Sequence, residues 1–212
     1  MAVWYSSSGP LTAEQTQSNA NIVINTYRQM GFDDRTIAGI LGNMQAESGV
    51  NPGRKETGGS GYGLVQWTPG PDVLIEHCQV LGLSPYTSGD VQLQVIPNEI
   101  RNVSGVAEWY TTSGFISNYY NSGATPDMVG ITGEQFLTNE MGWNPDKLAI
   151  MFMAGYERPD YDPNVNHYQL RMSQALAWFE YMGGVIPPTP GPGSAKKRLD
   201  PFPLLFYMLT RR

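Results

Sequence analysis

Glu47 is the residue whose type and place point most directly to chemistry. It falls where an amphipathic pattern runs out, in Ile40-Leu41-Gly42-Asn43-Met44-Gln45-Ala46-Glu47-Ser48-Gly49. The spacing predicts that it lies in the last turn of a helix that Gly49 and Asn51-Pro52 bring to an end. A helix C-terminus carries partial negative charge, and aromatic neighbours exclude water. Both disfavour the charged form of a carboxyl, as a proton donor working near neutral pH requires. Downstream, Gly61-Tyr62-Gly63-Leu64-Val65-Gln66-Trp67-Thr68 supplies an amide and two aromatic rings. Gln66 has the groups to bond a sugar acetamide, and Trp67 and Tyr62 the flat faces to stack on a pyranose.

Cleaving a glycosidic bond needs a proton for the leaving oxygen and a second group to complete the displacement. That second group is a carboxylate or the substrate's own acetamide. Glu157 is the leading carboxylate, with Asp72 and Glu56 after it. Each also reads as a surface charge or ion-pair partner, and Glu157 as a partner for Arg158 or a backbone amide. Asn43, one turn before Glu47, has the position to orient it or simply to fill a polar site inside the helix. Trp109, Tyr110, Tyr119, Tyr120 and Trp143 are further aromatics that read mostly as packing residues.

Helices must position these groups. Thr12-Ala13-Glu14-Gln15 forms a capping box that opens a helix to about Met30. Asp33 or Asp34 caps the next, with Ile37, Ile40, Leu41 and Met44 on its buried face. Asn144-Pro145 starts a third that continues into Tyr156, and a last helix is expected from about Asn164 to Met182. Asp90 to Ile100 alternates like a strand but reads as a helix bent at Pro97. The only strand region is Gly58 to Thr68, where period two would put Tyr62, Leu64 and Gln66 on one face and Gly63, Val65 and Trp67 on the other. The fold class is therefore α+β and mostly helical, with one small β-hairpin lobe.

Three domain assignments follow: a catalytic domain over 1–186, a Pro/Gly-rich linker over 187–195 and a basic and apolar tail over 196–212. Through residue 186 there are eight Lys and Arg against eighteen Asp and Glu; beyond it there are five against one. An acidic body argues against nucleic acid as a partner, since phosphates demand cations. The single cysteine, Cys78, excludes an intramolecular disulfide. It has only His77 and His167 to choose from as a base, in no peptidase-like context, and two isolated histidines make no metallopeptidase motif. The glycines at 58–63 lack the lysine that a phosphate loop needs, so neither metal nor cofactor is expected. Residues Met1 to Gln15 carry neither a basic start nor an apolar run, so no secretory signal is expected there, and Phe202 to Leu209 is too short to span a membrane.

The block from Ala38 to Ser48, then Asn51-Pro52-Gly53, then Gly61 to Pro69, resembles the phage tail-associated lysozyme family. A third block, Leu148 to Pro159, is similar to that family's later helix and following turn, and the likeness runs over roughly residues 14 to 182. More distantly, the Glu-Ser, Gly-x-x-Gln and Tyr elements are similar to those of lytic transglycosylases and goose-type lysozymes. The resemblance implies a lysozyme-like domain that cuts the β-1,4 bond from N-acetylmuramic acid to N-acetylglucosamine in bacterial peptidoglycan. It implies that Glu47 is the catalytic acid, that Gln66 is the strand glutamine facing the cleft and that Tyr156 is the tyrosine near the acid. Tyr62 and Trp67 fall within its strand motif, and Glu157 adjoins Tyr156. It also implies a tail-tip enzyme of the virion that opens the wall locally, with other phage tail proteins as neighbours. Two alternatives stand beside hydrolysis: lytic transglycosylation of the same bond, and a glycan-binding tail module without turnover.

Overall fold

The structure, a computed structural model, describes residues 3–185. The expected linker and basic tail lie outside the described residues. Among the described residues, eight α-helices carry the fold: α1 (Ala13–Gln29), α2 (Asp34–Ser48), α3 (Asp72–Leu81), α4 (Gly89–Ile100), α5 (Ser113–Ile116), α6 (Gly133–Thr138), α7 (Pro145–Phe152) and α8 (Tyr168–Tyr181). Short 3-10 turns join α4 to α6. None of the described helices is long and apolar enough to cross a membrane.

Local rules place most of these ends. Thr12 accepts from the Gln15 amide while the Gln15 side chain bonds back, the reciprocal cap expected for α1. Asp33 caps α2 through the Arg35 amide, and Pro145 occupies the first turn of α7 behind Asn144. α4 runs through Pro97, as expected. The last helix begins at Tyr168 rather than Asn164, because the Asp162 and Asn166 side chains accept from the Asn164 and Tyr168 amides and His167 turns left-handed at φ 54.

α2 is the hub. Ile37, Ile40, Leu41 and Met44 are wholly buried, each contributing roughly 1.5–3 kcal/mol by leaving water. The helix is covered on other sides too, by α7 and α8. A Cβ on Gly39 would stand 3.0 Å from the backbone of Leu148 and Ala149; one on Gly42 would stand 2.5 Å from the Arg171 carbonyl oxygen. Two missing side chains thus let three helices cross at backbone contact.

The expected hairpin lobe reduces to isolated bridges, Lys55 with Tyr62 and Tyr62 with Trp67. Tyr62 and Trp67 exchange both backbone hydrogen bonds, at 3.2 and 3.0 Å, so Gly63 to Gln66 forms the turn itself. Gly63 and Gln66 both take positive φ there, 83° and 53°. A turn in the middle of the predicted strand cancels the period-two assignment of faces. Side chains hold this loop instead: Gln92 of α4 accepts from the Leu64 amide at 2.9 Å, and Ser48 of α2 donates to the Leu64 carbonyl at 2.8 Å.

Candidate functional site

The end of α2 carries Glu47, with Gly49 in the left-handed cap position at φ 70. The chain that follows α7 makes one π-helical turn, Met153–Glu157, a widened geometry that turns successive side chains off the α-helical register. Glu157 ends that turn. Arg171, from the second turn of α8, reaches between the two acids. Its Nη2 donates to Glu47 and its Nη1 to Glu157, while Nη1 also meets Asn43 Oδ1 at 2.8 Å and Nε the Asn166 carbonyl at 2.9 Å. Asn43 therefore steadies the arginine rather than Glu47 directly, and its own amide bonds Gly39 and Ala149 carbonyls across the α2–α7 crossing.

The two acids differ in environment. The Glu47 side chain is 22% exposed, those of Glu157 and Arg171 only 4% and 3%. Burial pushes the Glu157 carboxyl up to about 8, with the Glu47 charge adding to the rise and Arg171 opposing it. Glu157 Oε1 is buried without a hydrogen-bond partner, a situation a neutral carboxyl tolerates better than an anion. The Glu157 and Glu47 charges hold the Arg171 guanidinium above its ordinary value, despite its burial. The set thus holds one proton on an acid near neutrality.

Tyr156, one residue before Glu157, points to a second buried carboxylate. Its hydroxyl donates to Glu99 of α4, which is fully buried. The Trp67 indole Nε1 donates to the same carboxylate at 2.9 and 3.2 Å, and His77 Nδ1 of α3 stands 2.5 Å from it. That carboxylate raises His77 above the ordinary imidazole value and, with burial, carries the Tyr156 phenol well above its own.

Between these networks opens a cleft of about 120 Å³, walled by Gln66, Trp67, Tyr156, Glu157, Arg158 and Glu108 with Val65, Thr68 and Val73. Four of the residues singled out from sequence, Gln66, Trp67, Tyr156 and Glu157, share that cleft. Glu47 and Tyr62 are not among its walls; Glu47 joins it through Arg171, and Tyr62 packs edge-on against Tyr86 at 5.7 Å. Gln66 Nε2 donates to the Gly63 carbonyl at 2.8 Å. Of the other acids considered, Glu56 caps its own loop at the Gly61 amide and Asp72 opens α3. Trp109 and Tyr119 bond backbone carbonyls of Ile131 and Pro159 as packing residues do. Among the described residues, no cluster of His, Cys, Asp and Glu could hold a metal ion.

Sequence reasoning missed Arg171, Glu99 and His77. The signal for Arg171 was its register with Tyr168, Ala175 and Trp178, three, four and seven residues away on one helix face, which sets a cation on a buried stripe. Glu99 stands likewise in register with Gln92, Val95 and Ile96. Such acids and bases are rarely buried unless paired.

A helical domain with a central buried helix, two acids at its crossing with α8 and a polar cleft beside them is the class of protein that fold and site define. The family described as phage tail lysozyme matches residues 18–182, and the chain belongs to that family. It is also similar to morphogenesis protein 1 of Bacillus phage B103, 29% identical over 214 residues that cover 99% of this chain and 49% of that protein. The chain thus spans about half the length of that relative.

Proposed function

We propose that this protein is an N-acetylmuramidase that hydrolyses the β-1,4 bond between N-acetylmuramic acid and N-acetylglucosamine in peptidoglycan. The observation that carries the reading is the Glu47–Arg171–Glu157 bridge beside a cleft walled by Gln66 and Trp67, in a chain of the phage tail lysozyme family. Glu47, the more exposed acid, delivers the proton. It acts in its protonated form, and Arg171, which contacts both carboxyls, holds it beside Glu157. Glu47 then protonates the leaving oxygen, water adds to the anomeric carbon, and the water's proton restores Glu47. Gln66 bonds the acetamide; Trp67 and Tyr156 form the aromatic wall, and Tyr62, bridged to Trp67, supports it from behind.

The site carries no formal need for cation-rich recognition, which suits a neutral glycan. Its place of action in this reading is the tail tip of a virion, among other tail proteins, where it opens the bacterial wall during infection. Two observations keep rivals testable. Glu157 is heavily buried, and a lytic transglycosylase needs only one acid, the muramic acid 6-hydroxyl attacking internally. The similar phage B103 protein is named for morphogenesis rather than for lysis, which leaves room for a glycan-binding tail module.

Clearing of purified sacculi by wild type beside Glu47→Gln, with reducing sugar followed, tests the proposal. Clearing and new reducing ends from wild type alone support it. Anhydro ends in the product mass spectrum move the reaction to transglycosylation, and binding without clearing moves the protein to the binding module.

A further inference from the structure

Glu99 takes no part in that proton path, yet it is among the most completely buried charged side chains described. Nothing about α4 alone explains it. Burying a carboxylate costs several kcal/mol unless donors surround it, and an apolar residue in its place often leaves a protein as stable or more so. Its donors come from three separate elements. Trp67 belongs to the loop held against the end of α2, Tyr156 to the π-helical turn and His77 to α3. Two of the three, Trp67 and Tyr156, are walls of the cleft, and both present to Glu99 the polar atom at one edge of the ring. The Trp67 tether lies off the axis of its Cβ–Cγ bond and so fixes the face of that ring. The Tyr156 hydroxyl lies on that axis, so its bond to Glu99 fixes where the end of the ring sits, while the stack on Phe152 at 4.6 Å sets its face.

The geometry points to Glu99 as a positioning residue of the glycan cleft, which orients the Trp67 and Tyr156 rings for sugar stacking, with His77 as its partly solvated counter-charge. The inference rests on the glycan-cleaving reading of the cleft. It assigns to Glu99 an effect on substrate binding, with proton delivery left to Glu47.

Three variants and two readouts test it. Glu99→Gln keeps the shape and one acceptor but loses the charge that gathers three donors. Tyr156→Phe keeps the ring and loses only the tether, and Trp67→Phe identifies the Trp67 indole N–H signal in a proton–nitrogen NMR spectrum. With peptide-free glycan chains as substrate, Glu99→Gln is expected to raise KM about tenfold and to leave kcat within about twofold. Its Trp67 indole N–H signal moves upfield as the charged acceptor is lost. Tyr156→Phe raises KM in the same direction at unchanged kcat, and it decides the matter if Glu99→Gln does not fold. An unmoved Trp67 signal, or a moved signal with KM unchanged in both variants, overturns the inference. So does a fall in kcat at unchanged KM. Should wild type leave the glycan uncut, the muramidase reading fails by itself. Calorimetric binding of the same glycan chains then reads the inference directly: about a tenfold rise in Kd sustains it, and equal affinity ends it.

Discussion

Arg171 and Glu47 lie 124 residues apart in the chain and meet in an ion pair at the crossing of α8 with α2. Because Gly42 has no side chain, the two helix backbones touch one turn before Glu47, and that contact lets the arginine reach back along α2. The guanidinium spends every nitrogen there: Nη2 on Glu47, Nη1 on Glu157 and Asn43, Nε on Asn166.

Removing this cation leaves two acids facing one another inside the protein. Arg171→Ala is expected to cost about 3–5 kcal/mol of stability, measured by urea unfolding. Arg171→Lys should recover only a minor part, since one ammonium cannot fork between two carboxylates. Full recovery by lysine would show that the fork is not what matters.

Glu47→Gln is expected to lower the lysis rate about 10²- to 10⁴-fold while glycan binding persists. Turbidity loss of sacculi and calorimetric titration with glycan chains provide the two numbers. Equal lysis by the variant would remove Glu47 from the reaction.

The buried Glu157 makes stability depend on pH in a definite sense. Its folded-state value, about 8, lies above the model-peptide value of 4.5, so the native state holds the extra proton between those limits. Its contribution is fully present below the unfolded value and is lost as pH rises through about 8. Wild type should therefore show a melting temperature that falls between about pH 4.5 and about 8 and levels off above, and Glu157→Gln should flatten that fall. Parallel curves for the two proteins would place the proton elsewhere.

Gly42→Ala introduces a methyl group 2.5 Å from the Arg171 carbonyl oxygen and 2.8 Å from the Ala175 nitrogen, both backbone atoms that can yield only by moving α8. A loss of about 1–3 kcal/mol is expected, although alanine is the better helix former. Because the shift carries Arg171 away from Glu47, lysis should fall further than the lost stability explains at temperatures where the variant is folded. A variant as active as wild type would mean that the helices separate without disturbing the bridge.

What the sequence by itself determined is whatever a few adjacent residues decide. The Thr12–Gln15 cap, Asp33, the Asn144-Pro145 start and the Gly49 stop are local hydrogen-bonding and backbone rules, and with them came Glu47 in the last turn of α2. The blocks around Glu47, Gln66 and Tyr156 also carried the family. The tertiary structure alone decided the rest. The predicted strand around Trp67 became a turn because Gln92 and Ser48, on two other elements, satisfy the Leu64 backbone in place of a strand partner. Helix α8 begins late because side chains of the preceding loop compete for its first amides. Arg171 and Glu99 were visible only as charges on apolar stripes. A buried charge is permitted by the partners that surround it, and theirs come from elements far away in sequence: Glu47 and Glu157 for the one, Trp67, His77 and Tyr156 for the other.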